Sequence, residues 1–266
     1  MRRFSQFATA TTLSLALLGG LSHAASAQIL TPDSPAAEIA VPAEAAAEQS
    51  AVAPATLDQI KVKGHEAITK RQATIQQLST KLASTKYDCG FNAQLGAKLQ
   101  SSATGLAGVD AQLAAETDIV KARTEYQQIF GGYRVYLLLV PQAEAVLGCD
   151  HQANRVVYYT ERAVALQAAI DKQKAKGIDT TAAQGLHDAA VTATQAAIAP
   201  KVAAPTAVIN LVPDNGDKAV QATNAAAVAS AKTLRRTADA SLDTARANLV
   251  SGFATLRATR PVRAVK

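Results

Sequence analysis

Tryptophan is absent from this chain of 266 residues, which carries only six tyrosines and five phenylalanines. So few aromatic rings argue against a large aromatic-rich enzyme core. Alanine, the best helix former, supplies 60 residues, far above its ordinary share. The composition therefore predicts an all-α protein whose cores are built from leucine, valine, isoleucine and alanine.

Long apolar runs are also absent after residue 28, so the sequence predicts no transmembrane anchor, which would need about 18 such residues. Residues 1–27 carry the three features of a secretory signal peptide: a pair of arginines, an apolar stretch over 10–21, and small residues at 25–27. We expect export by the Sec pathway to the periplasm or the extracellular space.

Basic residues are absent from 28–56, which hold four acidic residues and four prolines and show no sustained apolar period. This segment is predicted to be a disordered linker, because it cannot bury enough surface to fold. The formal net charge of the chain is +6; since the signal holds two arginines and the linker four acids, the body that follows carries +8. Outside the cytoplasm, a basic body favours anionic envelope polymers or lipid headgroups over nucleic acid.

From Thr56 onward, apolar residues recur at three- and four-residue steps, which predicts a helical bundle over 57–176. The first two helices are separated by a break at 87–90.

We expect a third helix to begin at a Thr117 cap and to run through Leu137. Pro141 should kink or end it, and Gly148 is a second breaker. Asp150 is then the predicted N-cap of a fourth helix, which closes in the Lys-Gly turn at the end of the bundle.

The rest of the chain predicts an Ala-rich helical hairpin over 178–258, followed by a basic tail at 259–266. Its first helix should span 180–199, and a proline-rich loop over 200–213 should lead to a final helix over 218–259. The fold expected is an elongated antiparallel helical bundle plus this hairpin.

The final helix is predicted to be about 60 Å long, twice the length of its hairpin partner. The far half, which carries Leu242, Leu249 and Leu256, must therefore pack elsewhere. We expect the fourth helix to cover it; the alternative is an exposed stripe that meets a partner protein.

Only two cysteines are present, Cys89 and Cys149, and they form no Cys-x-x-Cys motif. In an exported chain two such thiols usually pair. The second helix leads away from the end of the bundle that holds Cys89, and the third returns over a similar length. Cys149 should therefore lie at the same end as Cys89. We therefore expect a disulfide rather than a reactive thiol.

Motifs for catalysis are absent: no Gly-x-Ser-x-Gly, phosphate loop or dinucleotide fingerprint occurs. His65, His151 and His187 fall in three different predicted helices, without partners at metal-ligand spacing. The run Cys149-Asp150-His151 sets a thiol beside a base, but a disulfide would remove the thiol. We expect no catalytic residue, no metal site and no cofactor, and a protein that is not an enzyme.

Tyrosine and arginine cluster on two predicted helices and form the candidate recognition surface. Such pairs can stack on sugars or bind carboxylates and phosphates, and they can equally fill a core with rings covered by arginine stems. A basic C-terminus adds three further arginines. The candidate binding residues are Tyr133, Arg134, Tyr136, Arg155, Tyr158, Tyr159, Arg162, Arg257, Arg260 and Arg263.

The third predicted helix carries the run Thr117-Asp118, Ala122-Arg123, Ile129-Phe130, Tyr133-Arg134-Val135-Tyr136 and Pro141. This run resembles a group of uncharacterised, exported, Ala-rich helical proteins of bacteria, and the likeness covers most of 57–258. The resemblance implies fold and export but no activity, because the group has no established one.

Together these features predict an exported, non-enzymatic structural or protein-interaction protein of the bacterial envelope or secretome, acting as a scaffold or spacer. The alternative is a binding module for anionic envelope polymers or lipid headgroups, which would use the basic tail and the Tyr/Arg faces. An enzyme is a third hypothesis, which needs a convergent set of titratable groups. The expected partner of this protein is another envelope protein or an anionic envelope polymer. The sequence does not set an oligomeric state, because long Ala-rich helices also suit dimers.

Overall fold

The computed structural model describes Pro54 and residues 56–259, and every regular element in this part of the chain is helical. The protein is an all-α helical bundle, as the composition predicts. The predicted signal peptide, nearly all of the predicted linker and residues 260–266 of the basic tail lie outside the described residues.

The elements in chain order are α1 (Leu57–Ala83), α2 (Asn92–Ala115), α3 (Ile119–Gly131), a π-helical turn (Val135–Leu139), α4 (Val140–Lys174), α5 (Thr181–Ala196), α6 (Ile198–Val208) and α7 (Lys218–Ala258).

The first core lies between α1, α2, α3, the π turn and the start of α4. The periodic apolar faces predicted for the first two helices are confirmed, because their residues are buried in this cluster. They are Ile60, Ile68, Ile75 and Leu78 of α1 and Leu95, Leu99, Leu106, Val109 and Leu113 of α2.

The predicted extent of the third helix is wrong. Helix α3 begins after Asp118, whose Oδ1 accepts the Val120 N–H at 2.7 Å, and it ends at Gly131 rather than near Pro141. The cause is Arg134, which adopts a left-handed backbone with φ 45° and starts the π turn. Pro141 lies in the first turn of α4, where a missing N–H needs no helical partner.

Gly148 and Asp150 were expected to break and restart the chain, and this is also wrong, because α4 continues through both. Gly148 lies against α7, where a Cβ would come within 2.9 Å of Arg235 Cδ. Asp150 is buried and caps nothing on its own helix; its Oδ1 accepts the backbone N–H of Cys89 at 2.8 Å.

The C-terminal segment departs from a simple hairpin. The predicted helix over 180–199 ends at Ala196, and α6 occupies most of the predicted loop. Pro200 is the third residue of α6, a position that tolerates proline. Pro205 is an interior residue of the same helix, and its carbonyl still accepts the Ile209 N–H at 2.9 Å.

The long final helix is confirmed, and its far half is covered by its own chain. Leu242, Leu249 and Leu256 of α7 are buried in a second cluster with residues of α4 and α5, among them Leu166 and Ile170. The alternative of an exposed stripe is therefore wrong. A third cluster joins α4, α6 and the first half of α7. Helix α4 contributes to every one of these clusters. The division of the chain into two domains, 57–176 and 178–258, stays a prediction.

Among the described helices, none combines the length and the apolar character needed to cross a bilayer.

Candidate functional site

The first Tyr/Arg cluster is internal. Arg134 Nη2 donates to Asp214 Oδ1 at 2.8 Å, and the two side chains are only 8% and 4% exposed. Burial opposes the charged form of Asp214, but the bonds from Arg134 and from the Gly216 N–H outweigh it and hold its pKa below the usual value. This pair fastens the start of the π turn to the loop before α7.

The rings of this cluster pack around a buried arginine that the sequence did not single out for recognition. The guanidinium of Arg71 lies 4.5 Å from the Phe130 ring centre and 5.0 Å from that of Tyr136, and its Nη1 donates to the Ala67 carbonyl. Tyr136 is buried, whereas Tyr133 is partly buried over Gly105. Cation–π stacking of this kind contributes about 1–2 kcal/mol when desolvated.

Arg155 joins two helices in the second cluster. From α4 it donates to Asp239 Oδ1 at 3.2 Å and to Asp243 Oδ1 at 2.5 Å, both on α7. Gln152, one turn earlier, donates to the Arg235 carbonyl and to Asp239 at 3.0 Å each. These bonds hold α4 and α7 in register.

The other members of the second cluster differ in exposure. Tyr159 is buried in the core, and Arg155 lies over its ring. Tyr158 is partly buried beneath Arg162, whose guanidinium lies 5.0 Å from the ring centre. Arg257 is exposed in the last turn of α7, and Arg260 and Arg263 lie outside the described residues. Tyr136, Arg134, Arg155 and Tyr159 thus make internal contacts, and the described candidates do not share one open face.

The two cysteines meet at one end of the bundle, with Cα atoms 6.1 Å apart and their sulfur atoms at disulfide distance. The up-and-down path expected from the helix lengths is confirmed, although its bend lies at 132–134 instead of near Gly148. The pair links the loop before α2 to the first third of α4, across a sequence separation of 60 residues.

Two charged side chains flank this pair. Asp150 receives the Cys89 N–H, and burial raises its pKa against the lowering effect of that bond. Lys201 of α6 directs its Nζ at Cys89 Sγ, 3.6 Å away, and burial lowers its pKa. The adjacency of Asp150 to Cys149 is visible in the sequence, but nothing in the sequence marks Lys201, which lies 112 residues from Cys89.

A surface groove of about 440 Å³ runs between α4 and α5. Two exposed valines, Val164 and Val191, lie on its walls. The ring of His187 is mostly buried there, with Nδ1 at 2.9 Å from Asp188 Oδ1. The groove is lined by Thr160, Ala163, Val164, Gln167, Ala168, Asp171, His187, Val191, Thr194 and Gln195.

The three histidines of the body lie on three helices, as expected: His65 on α1, His151 on α4 and His187 on α5. His65 Nδ1 lies 3.0 Å from Asp110 Oδ1 on α2. Within Pro54 and 56–259, no group of three or more His, Cys, Asp or Glu side chains is placed to hold a metal ion.

Comparison with known proteins gave no significant match to any family model, curated protein or solved structure.

Proposed function

We propose that this chain is an exported, non-enzymatic structural or protein-interaction protein of the bacterial envelope or secretome, which acts as a scaffold or spacer. The observation that carries the proposal is the way α7 is fixed along its whole length. This helix has 41 residues, so it extends for about 60 Å.

Polar bonds fix α7 at its start, its middle and its end. Near the start, Asn224 Nδ2 donates to the Val212 carbonyl at 2.9 Å. In the middle, Arg155 bonds to two aspartates. At the end, Gln173 Nε2 donates to the Leu256 carbonyl at 2.8 Å, and its Oε1 accepts the Thr259 hydroxyl at 2.9 Å. A helix fixed in this way keeps its ends at a constant separation, which is what a spacer requires.

The use of charged groups inside the fold also supports a structural role. Arg134 and Arg155 bond to carboxylates of their own chain, and Arg71 stacks on two rings. A recognition site needs such groups free for a ligand. The geometry therefore favours helix packing as the role of the Tyr/Arg clusters.

Export is part of the same proposal. The signal pattern at 1–27 supports it, and so does the placement of Cys89 against Cys149, since disulfides persist in oxidising compartments.

A spacer is tested by photo-crosslinking in cells, with a benzoylphenylalanine at either end of α7. Val212, in the loop before α7, and Arg257, in its last turn, are exposed positions near these ends, and Thr237, exposed near the middle, is the matched control. We expect export with loss of residues 1–27, and discrete adducts from both ends but not from Thr237. Export without adducts at either end, or equal adducts at all three positions, would contradict the spacer.

Binding of anionic envelope polymers or lipid headgroups is the second candidate, favoured by the exposure of Arg257 beside the basic tail. The test is sedimentation with isolated envelope at low and high salt. This candidate requires binding that salt weakens and that a variant lacking 259–266 loses. Absence of binding at low salt would exclude it.

A further inference from the structure

The two sulfurs of the cysteine pair differ in their access to solvent. Cys149, in the first third of α4, is only 1% exposed. Cys89 is partly exposed in the loop between α1 and α2, next to Gly90, whose φ of +92° turns the chain there. A reagent from solution therefore reaches Cys89 before it reaches Cys149.

A cation is placed directly on the accessible sulfur. Lys201 Nζ lies 3.6 Å from Cys89 Sγ, and α6 holds this lysine in a partly buried position. An ammonium group beside a cysteine stabilises the thiolate, the form of the side chain that reacts in disulfide exchange.

The carboxylates near Cys89 bond to backbone N–H groups of its own loop. Asp150 is buried, and its Oδ1 accepts the Cys89 N–H at 2.8 Å. Asp88 is exposed, and its Oδ1 accepts the Gly90 N–H at 2.6 Å. Lys201 is the charged group that reaches the sulfur itself.

We propose that the pair is an exchange-reactive disulfide for dithiol co-reactants, in which Cys89 is the attacked sulfur and Lys201 stabilises its thiolate. This role is independent of the spacer, because it concerns the end of the bundle that carries Cys89 and needs no contact of α7 with a partner.

The exchange balances in two steps. A thiolate of the co-reactant attacks Cys89 Sγ, the Cys89–Cys149 bond breaks, and its electron pair leaves on Cys149 Sγ, which takes a proton from water. The second thiol of the co-reactant loses a proton to water and attacks the co-reactant sulfur of the mixed disulfide, and the electron pair leaves on Cys89 Sγ beside Lys201. Two electrons pass to the protein, and the dithiol becomes a disulfide.

The test measures alkylation of the reduced protein by iodoacetamide between pH 5 and 10, with peptide mapping of the modified cysteine. We compare the native protein with Lys201→Met and with Lys201→Arg, which keeps the charge. Lys98→Met is the matched control, since Lys98 is also partly buried with a pKa lowered by burial, but it donates to the Leu211 carbonyl. Circular dichroism verifies that each variant keeps its helices.

We expect the label on Cys89, with a thiol pKa below the ordinary value of about 8.5. Lys201→Met should slow alkylation at pH 7 about three- to tenfold, since an opposite charge at this distance shifts a pKa by roughly one unit. Lys201→Arg should restore the rate, and Lys98→Met should leave it unchanged. A Cys89 pKa at or above about 8.5, or equal rates for the native protein and Lys201→Met, would overturn the proposal. If Lys201→Met loses its helices, the native pKa together with Lys201→Arg decides the matter.

Discussion

Arg134 combines a left-handed backbone, φ 45° and ψ 46°, with a guanidinium that is almost fully buried. For a residue other than glycine, this backbone costs about 1 kcal/mol, and burial of a charge costs more. Asp214 offsets both costs by accepting the guanidinium N–H at 2.8 Å. A single ion pair thus fixes the bend at 132–134, where the chain turns from α3 into the π turn.

Asp214→Asn should lower the free energy of unfolding at pH 7 by about 3 kcal/mol, because it leaves the Arg134 charge buried without its counter-ion. The native pKa of Asp214 is lowered, so its stabilisation is present at neutral pH and is lost as the pH falls below about 4. The difference between native and variant should therefore shrink in acid. Urea unfolding at a series of pH values measures both effects.

Asp239→Asn is the matched control for Asp214→Asn. Asp239 also accepts a hydrogen bond from an arginine, but its side chain is 36% exposed. Solvent screens a carboxylate that is exposed to this degree, so the loss should stay under about 1 kcal/mol, and Arg155 keeps Asp243 in this variant. Equal losses for the two variants, or a loss at Asp214 that does not change with pH, would show that burial of the Arg134 pair does not set its strength.

Two of the three glycines in helix α2, Gly105 and Gly108, have contrasting surroundings. A Cβ on Gly105 would come within 2.5 Å of the Tyr133 ring, whereas a Cβ on Gly108 would meet nothing within 4 Å. Gly105 thus allows α2 to pack closely against the bend before the π turn. Gly108 weakens the helix without a packing benefit.

Gly108→Ala should raise the free energy of unfolding by up to about 1 kcal/mol, because alanine is the better helix former. Gly105→Ala should lower it by about 1–3 kcal/mol, because the Tyr133 ring must shift. Thermal unfolding of the two variants gives the comparison on one helix. Stabilisation by both substitutions would mean that the Tyr133 ring moves aside freely.

Helix periodicity predicted α1, α2 and α7 well, because one face of each helix stays buried over many turns. The bends were not predictable in the same way. Pro141 and Pro200 read as helix breakers, yet both lie in first turns, where proline fits. The break between α3 and the π turn lies next to Arg134, whose guanidinium bonds to Asp214, 80 residues away in the sequence. The contact between Lys201 and Cys89 also joins residues that lie far apart in the sequence. The sequence therefore predicted the cysteine pair but not the lysine beside it.

At the scale of the whole molecule, α4 is the element that connects the cores. Its first residues lie in the cluster with α1, α2 and α3, and its later residues, among them Leu166, lie in the cluster with α5 and α7. Between these, Ala145 packs with α6 and α7. Each end of α4 therefore completes one of the two larger clusters, and the continuous helix links the two.

We therefore expect one cooperative unfolding transition for the oxidised protein, instead of separate transitions for 57–176 and 178–258. Hydrogen exchange with mass spectrometry in rising denaturant measures this, by comparing peptides of α2 around Leu99 with peptides of α7 around Ala245, two buried positions in different clusters. The two sets should lose protection at the same denaturant concentration. An α7 set that exchanges well before the α2 set would instead support an independent C-terminal unit.

Reduction of the cysteine pair provides the second half of this test. A closed loop of about 60 residues contributes about 4 kcal/mol in the chain-entropy model, and the link joins the α1–α2 loop to α4 itself. If α4 couples the clusters, reduction should move the protection of both α2 and α7 to lower denaturant by the same amount. If the clusters are independent, only the α2 peptides should respond, because α7 makes no part of the linked loop. The reduced protein thus separates a single cooperative body from two adjoining ones.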